Sequence, residues 1–215
     1  MAGAEPIVYV VDDDASFLQA CSRMLRASGF LVSAFSSAEA FLAHRDAAAP
    51  GCVVTDMQMP RVSGLELQSA LSRSGNPLPI LFLTGHGDIA SSVSAMRAGA
   101  EDFLEKRAPK EALLDAVRRA LARDERERRE RSRQRALRER FDVLTDRERE
   151  VLLHVVRGRL NKQIAGDLGI HERTVKLHRT AITRKLGVTS AAALSRLTQD
   201  AGIFPVSMET FPKGQ

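Results

Sequence analysis

Short apolar runs that each stop on a polar side chain limit most tightly how this chain can fold. Val8-Tyr9-Val10-Val11 stops at Asp12 and Asp13, Cys52-Val53-Val54-Thr55 at Asp56, and Ile80-Leu81-Phe82-Leu83 at Thr84. Phe103-Leu104 stands just ahead of Lys106. Each run reads as a β-strand, and segments of helical period separate them, which argues for a parallel sheet with helices on both faces. In such an open sheet, ligands bind in the crevice outside the carboxyl ends of the strands. Three carboxylates, a hydroxyl and an ammonium would meet there. Clustered carboxylates repel one another unless a cation joins them, and an all-oxygen ligand set suits Mg²⁺.

The intervening segments fill out the pattern. A helix is expected from about Ala15 to Ala27, ended by Ser28-Gly29, then a strand at about Phe30–Phe35 and a Ser37-capped helix through about Arg45. After Asp56, the loop from Met59 to Gly64 leads into a helix at Leu65–Ser72. After Thr84, the glycine-rich Gly85-His86-Gly87 leads into a helix at Ile89–Ala98, with Gly99 as its C-terminal cap. No Gly-x-Gly-x-x-Gly follows the first strand, so the dinucleotide fingerprint is missing.

The segments VVDDDASF, VVTDMQMPRVSGLEL, PILFLTGHGD and AMRAGAEDFLEK resemble the receiver domain of two-component response regulators, of the CheY-like fold. The resemblance covers roughly the first 120 residues. It implies that Asp56 is the phosphoacceptor and that Asp12, Asp13 and Asp56 hold Mg²⁺, together with the backbone carbonyl of Gln58. It further implies that Lys106 pairs with phosphoryl oxygens and that Thr84 and Phe103 act as switch residues. Val93 and Arg97 lie where a dimer contact of the FixJ-like type would fall.

Charge divides the chain. Residues 1–117 carry nine Lys/Arg and fourteen Asp/Glu, residues 118–141 eleven Arg and five acids, and residues 142–203 eleven basic and seven acidic side chains. An acidic first half followed by a basic second half points to a polyanion as partner of the second half alone. No apolar run approaches the roughly 20 residues needed to span a bilayer. The opening MAGAEPIVYVVDDD has no basic region of the signal-peptide kind. Cys21 and Cys52 sit in apolar segments as small core residues rather than as a disulfide or metal pair, and a cytoplasmic location is expected.

From about Pro109 a helix begins with apolar positions at Leu113, Leu114, Val117 and Leu121, after which the apolar stripe stops. Residues 122–140 are almost wholly Arg, Glu, Ala and Gln, with acid-to-Arg spacings of four at Asp124/Arg128, Glu125/Arg129 and Glu127/Arg131. Each such pair supports a helix by a few tenths of a kcal/mol. A helix polar on all sides usually bridges domains. The expected organisation is therefore a receiver at 1–121, a solvated helical linker at 122–140, a helical domain at 141–203 and a tail at 204–215.

Residues 144–201 give four short helices. Thr145 with Glu148 three residues later forms a capping box. The second helix runs from about Asn161 to Leu168, Gly169 supplies a tight turn, and the third runs from about Glu172 to Leu186, which fits a helix-turn-helix. Val175, Ile182 and Leu186 follow the core spacing of the third helix, with His178 or Arg179 between them. Lys176, Thr180, Thr183 and Arg184 share the opposite face, which can bond base edges and phosphates. LTDREREVLLHVVRG, NKQIAGDLGI and ERTVKLHRTAITRKLGV are similar to the LuxR-type DNA-binding domain, which places the chain with FixJ/NarL-like regulators. That resemblance implies a DNA-contacting set of Lys162, Lys176, Leu177, Arg179, Thr180, Arg184 and Lys185. Lys162 and Arg184 or Lys185 would face phosphates, and Lys176, Leu177 and Thr180 the major groove.

Three departures from the family patterns stand out. Arg107 follows Lys106 where the family commonly has a cis proline. His171 and Leu160 stand where helix-capping Ser or Thr is usual, and the switch aromatic Phe103 has no hydroxyl. The fold expected is α/β, a doubly wound, flavodoxin-like, five-stranded parallel receiver joined by a long helix to an all-α, four-helix, helix-turn-helix domain. The function expected is a transcriptional regulator phosphorylated on Asp56 by a sensor histidine kinase, with Mg²⁺ as cofactor. It would dimerise on phosphorylation and bind half-sites in double-stranded promoter DNA, with no membrane partner. The alternative is a regulator that binds DNA independently of phosphorylation and uses its receiver only to dimerise. An enzyme acting on a separate substrate is disfavoured, since no nucleophile–base pair is visible. A ligand-sensing LuxR-type regulator would lack the acidic pair, Asp56 and Lys106.

Overall fold

The computed structural model describes residues 4–85 and 89–203. His86 and Gly87 of the expected glycine-rich loop, and the tail from 204 to 215, lie outside the described residues. The elements run β1 (Ile7–Val11), α1 (Ala15–Ala27), β2 (Leu31–Phe35), α2 (Ala38–His44), β3 (Gly51–Asp56), α3 (Gly64–Ser72), β4 (Ile80–Thr84), α4 (Ile89–Arg97), β5 (Asp102–Glu105) and α5 (Lys110–Glu139). After these come α6 (Asp146–Val156), α7 (Asn161–Leu168), α8 (Glu172–Leu186) and α9 (Ala191–Asp200). The five strands form one parallel sheet in the order β2-β1-β3-β4-β5. The flavodoxin-like expectation is met.

Alternate side chains of each strand serve opposite faces of the sheet. Tyr9, Val11, Val53, Ile80 and Phe82 pack with Ala38 and Phe41 of α2, Leu67 and Leu71 of α3, and Ala95 of α4. Val8, Val10, Cys52, Val54, Leu81 and Leu83 pack with Cys21 and Leu25 of α1 and with Leu113, Ala116, Val117 and Ala120 of α5. Both cysteines are buried, free members of this second layer. Register does the rest: Val11 lies beside Thr55 and Asp56 beside Leu83, so Asp12, Asp56 and Thr84 emerge at one end of three adjacent strands.

The chain divides into two compact units, Met1–Arg128 and Arg129 onward, and the boundary falls inside the 30-residue helix α5. The stretch expected as a solvated linker, 122–140, carries packed residues near both of its ends. Asp124 is 1% exposed and accepts hydrogen bonds from Gly51 N (2.9 Å) and Arg128 Nε (2.7 Å). The sequence pattern shows only an i,i+4 pair there, because the partner backbone lies 73 residues away. At the other end, Leu137 joins the core of the second unit, Arg138 donates to Ala201 O (2.8 Å) and Arg140 to Leu186 O (2.6 Å).

In the second unit, Phe141, Leu144, Val151, Leu152, Ile164, Val175, Ile182, Leu186 and Leu194 enclose one core. Thr145 and Glu148 make the expected capping box at the start of α6. Gly169 takes φ +63°, the left-handed conformation that ends α7 and turns the chain into α8. Neither Leu160 nor His171 caps with its side chain, but Gln163 accepts the Leu160 N–H at 2.9 Å and so fixes the start of α7. No helix among the described residues is long and apolar enough to cross a membrane.

Candidate functional site

Asp12, Asp13 and Asp56 each bring a carboxylate oxygen to within 4.8 Å of the others at the open end of β1 and β3. The strands set this distance, because parallel neighbours place their C-terminal residues side by side. Asp12 is buried, while Asp13 is exposed. Lys106 enters from the end of β5, where its N–H bonds Thr84 O at 2.8 Å. Its Nζ lies 2.7 Å from Asp12 Oδ2 and 2.8 Å from Asp56 Oδ2. The peptide after Lys106 is trans, and Ala108 N closes the turn on Glu105 O at 2.9 Å.

The electrostatics follow from burial. Removal from water raises the Asp12 carboxyl above its ordinary range, against the opposing bonds from Lys106 and the Asp14 N–H. Burial alone would lower the Lys106 ammonium, but its bonds to Asp12 and Asp56 outweigh that and hold it above its usual value. The Lys106 ammonium thus stands charged between Asp12 and Asp56.

Several side chains that the motifs do not single out complete the pocket. The Phe17 ring, on the first turn of α1, lies 4.6 Å from Lys106 Nζ at its centroid, a cation–π contact that covers the ammonium. Asp14 caps α1, accepting from Ser16 N (2.9 Å) and Phe17 N (3.2 Å), and so fixes where Phe17 stands. Gly64 begins α3 directly against the end of β3. A Cβ there would lie 2.4 Å from Asp56 O and 2.9 Å from Phe82 Cε1. The readable signal for Gly64 is the glycine itself at a loop-to-helix junction; nothing local marks Phe17.

Thr84 is buried at the end of β4, and Phe103 is half-buried on β5 with its ring 6.3 Å from that of Phe82. Gln58 is exposed beside the acids, and its N–H points to Asp56 Oδ1 at 3.4 Å. Val93 and Arg97 are exposed on α4, with Met96 exposed between them. A carboxylate so placed, with an ammonium at hand and two further acids, can take a phosphoryl group: the acids suit a divalent cation and the ammonium suits the transferred oxygens.

The second unit separates the residues expected to meet DNA. Lys176, Leu177, Thr180 and Arg184 are exposed on α8, and Lys162 is exposed on α7. Leu177 is 64% exposed, which a core leucine would not be. Arg179 turns inward and donates to Asn161 Oδ1 at 2.9 Å, bracing α7 against α8. Lys185, which the resemblance offers with Arg184 as a phosphate-facing residue, is engaged within the domain. Its Nζ lies 2.7 Å from the buried Glu148 carboxylate and 3.2 Å from Val143 O. Lys185 enters the DNA-facing set only through the family resemblance; the face that helical period picks out holds Lys176, Thr180, Thr183 and Arg184, and no local spacing signals the pairing with α6.

Comparison with known proteins gives the same division. Residues 8–118 match the response regulator receiver domain, and residues 142–198 match the bacterial regulatory proteins of the luxR family. The response regulator protein TodT of Pseudomonas putida is 43% identical over 199 residues, spanning 93% of this chain and 88% of its own. The transcriptional regulatory protein FixJ of Azorhizobium caulinodans is 40% identical over 206 residues, 94% and 96% of the two chains. Among solved structures, the response regulator StyR aligns with a TM-score of 0.72 at 47% identity, covering 91% of this chain and 99% of that one.

Proposed function

Because this chain belongs to the two-component response regulators that join a receiver to a LuxR-type DNA-binding domain, we propose that phosphorylation of Asp56 by a sensor histidine kinase controls its binding to promoter DNA. The observation that carries this reading is the Asp56 carboxylate, held by Lys106 and clustered with Asp12 and Asp13 at the end of the sheet. An Asp56 oxygen forms the new O–P bond as the N–P bond of a phosphohistidine breaks, leaving the kinase imidazole. Lys106 already lies against Asp56, so its ammonium meets the incoming charge without a large rearrangement, and ionised partners make such bonds short and strong.

The three carboxylates fit Mg²⁺, a hard cation that takes oxygen ligands, and the Gln58 main-chain carbonyl would complete the protein's share. When bound, the ion supplies charge neutralisation for the transfer. Thr84 then bonds a phosphoryl oxygen, and Phe103 turns into the space released. This repositions α4 and β5, and the exposed Val93 and Arg97 on α4 form part of a surface between two copies. Two copies present two α8 helices to two half-sites. Lys176, Leu177 and Thr180 read base edges, while Lys162 and Arg184 hold phosphates.

The test combines chemistry with binding. With a small phosphodonor and Mg²⁺, the wild-type chain should form an acyl phosphate and bind a two-half-site operator more tightly, while Asp56→Ala should do neither and keep its fold. Equal labelling of Asp56→Ala would show that the acceptor lies elsewhere. Operator binding unchanged by phosphorylation would favour a receiver that serves only to pair two copies.

A further inference from the structure

The apolar stripe of α5 ends near Leu121, yet the helix stays fastened to the receiver for two more turns. Helical propensity does not explain this, since exposed i,i+4 pairs add little and an all-polar helix has no apolar face to dock. The fastening is polar and two-sided. On one side, Asp124 Oδ2 takes the Gly51 N–H and the Arg128 Nε–H, and Arg128 also donates to Ala48 O (2.8 Å) and Ala49 O. The carboxylate is thus out of water but paired, which is the condition for burying one. Gly51 itself is required by the strand pairing: a Cβ there would lie 2.0 Å from Ile7 O, so β1 and β3 close tightly beside the N–H that the carboxylate takes.

On the other side, Arg119 pairs with Asp102, and Arg123 reaches Glu101 and Gly99 O, both at 3.4 Å. Gly99 and Glu101 lie in the connection from α4 to β5, and Asp102 opens β5. One flank of the helix is therefore tied to the segment between α4 and β5, and the other to the start of the central strand β3.

We propose that Asp124 is a positioning residue for signal output. It pins α5 to the base of β3, so that movement of the α4–β5 side is carried along the helix rather than absorbed where the apolar contacts stop. The proposal rests on the reading that phosphorylation of Asp56 controls DNA binding. Without the pin, residues 122–128 become a loose joint, and the receiver can switch with no effect on operator affinity.

The test uses the full chain with a small phosphodonor and Mg²⁺. It compares wild type, Asp124→Asn, Arg128→Ala, and Leu25→Ala, a core variant on α1 that removes none of the clasp bonds. Three quantities are read: phosphoryl uptake, hydrogen exchange of the 122–128 amides, and the gain in operator affinity on phosphorylation. Both clasp variants should take up phosphoryl at the wild-type level, exchange those amides at least tenfold faster, and lose at least fivefold of the gain. Leu25→Ala should keep the full gain despite its lower melting temperature. Protected amides with an undiminished gain in either clasp variant would overturn the proposal. An equal loss of gain in Leu25→Ala would reduce Asp124 to a structural part. A wild-type chain with no gain at all would instead sink the phosphorylation-controlled function, and the coupling role with it.

Discussion

At the scale of single residues, the pocket depends as much on what is missing as on what is charged. Gly64 leaves the space that Asp56 O and Phe82 occupy. Gly64→Ala should therefore force the loop after β3 outward and destabilise the receiver by about 1–3 kcal/mol, the usual cost of overpacking. Thermal unfolding checks this, and phosphoryl uptake should slow in parallel. Glu148 shows the opposite dependence, on a charge that must be present. The Lys185 bond, with the Thr145 N–H, holds its carboxyl below the ordinary 4.5. A carboxyl depressed in the folded state adds stability above its unfolded value, and that stability is lost as pH falls through the folded one. Glu148→Gln should then be less stable than wild type at pH 7, by about 1–3 kcal/mol. The gap should narrow as pH is lowered past 4.5. Denaturant titrations of both proteins from pH 7 to 3.5 measure it, and a gap constant with pH would mean the charge is not what Lys185 recognises.

At the scale of elements, the helix-turn-helix divides its labour between positioning and reading. Arg179 and Lys185 look from the sequence like two more cations for DNA, yet they hold α8 to α7 and α6. What remains outward is Lys176, Leu177, Thr180 and Arg184 on α8 and Lys162 on α7. Lys176→Ala should relax sequence preference at one base pair, at a cost of about 1–3 kcal/mol on the preferred site only. Lys162→Ala should weaken all sequences alike and reduce the salt slope by about one counterion. Operator titrations over a range of salt, with matched and mismatched sites, separate the two. If both variants change preference identically, the reading and anchoring sets overlap.

At the scale of the whole chain, legibility tracked sequence distance. The acids at the strand ends could be read because a parallel sheet brings its C-terminal edges together whatever the intervening helices are. Caps such as Thr145 with Glu148, and the turn at Gly169, were equally plain, being local. Phe17 over Lys106, Lys185 on Glu148 and Asp124 on Gly51 were not, since each joins positions that no period or spacing connects. Charge misled in the same way: an Arg-rich stretch reads as solvated until a buried carbonyl or carboxylate claims some of it.

The buried Asp124 also says where such a chain can be recombined. A hybrid that keeps residues 1–121 and grafts a foreign output domain would strip Gly51 N and the Ala48 and Ala49 carbonyls of their partners. Loss of the buried Gly51–Asp124 bond costs about 1.5–3 kcal/mol, the range for a bond to a charged group, and the more exposed Arg128 bonds add less. A hybrid joined after Arg128 should melt like the native receiver, and one joined after Leu121 several degrees lower. Calorimetry on the two hybrids, carrying the same output domain, reads the difference directly. For exchange of output modules, whether by engineering or by descent, the seam lies two helical turns beyond the place where the last apolar side chain would put it.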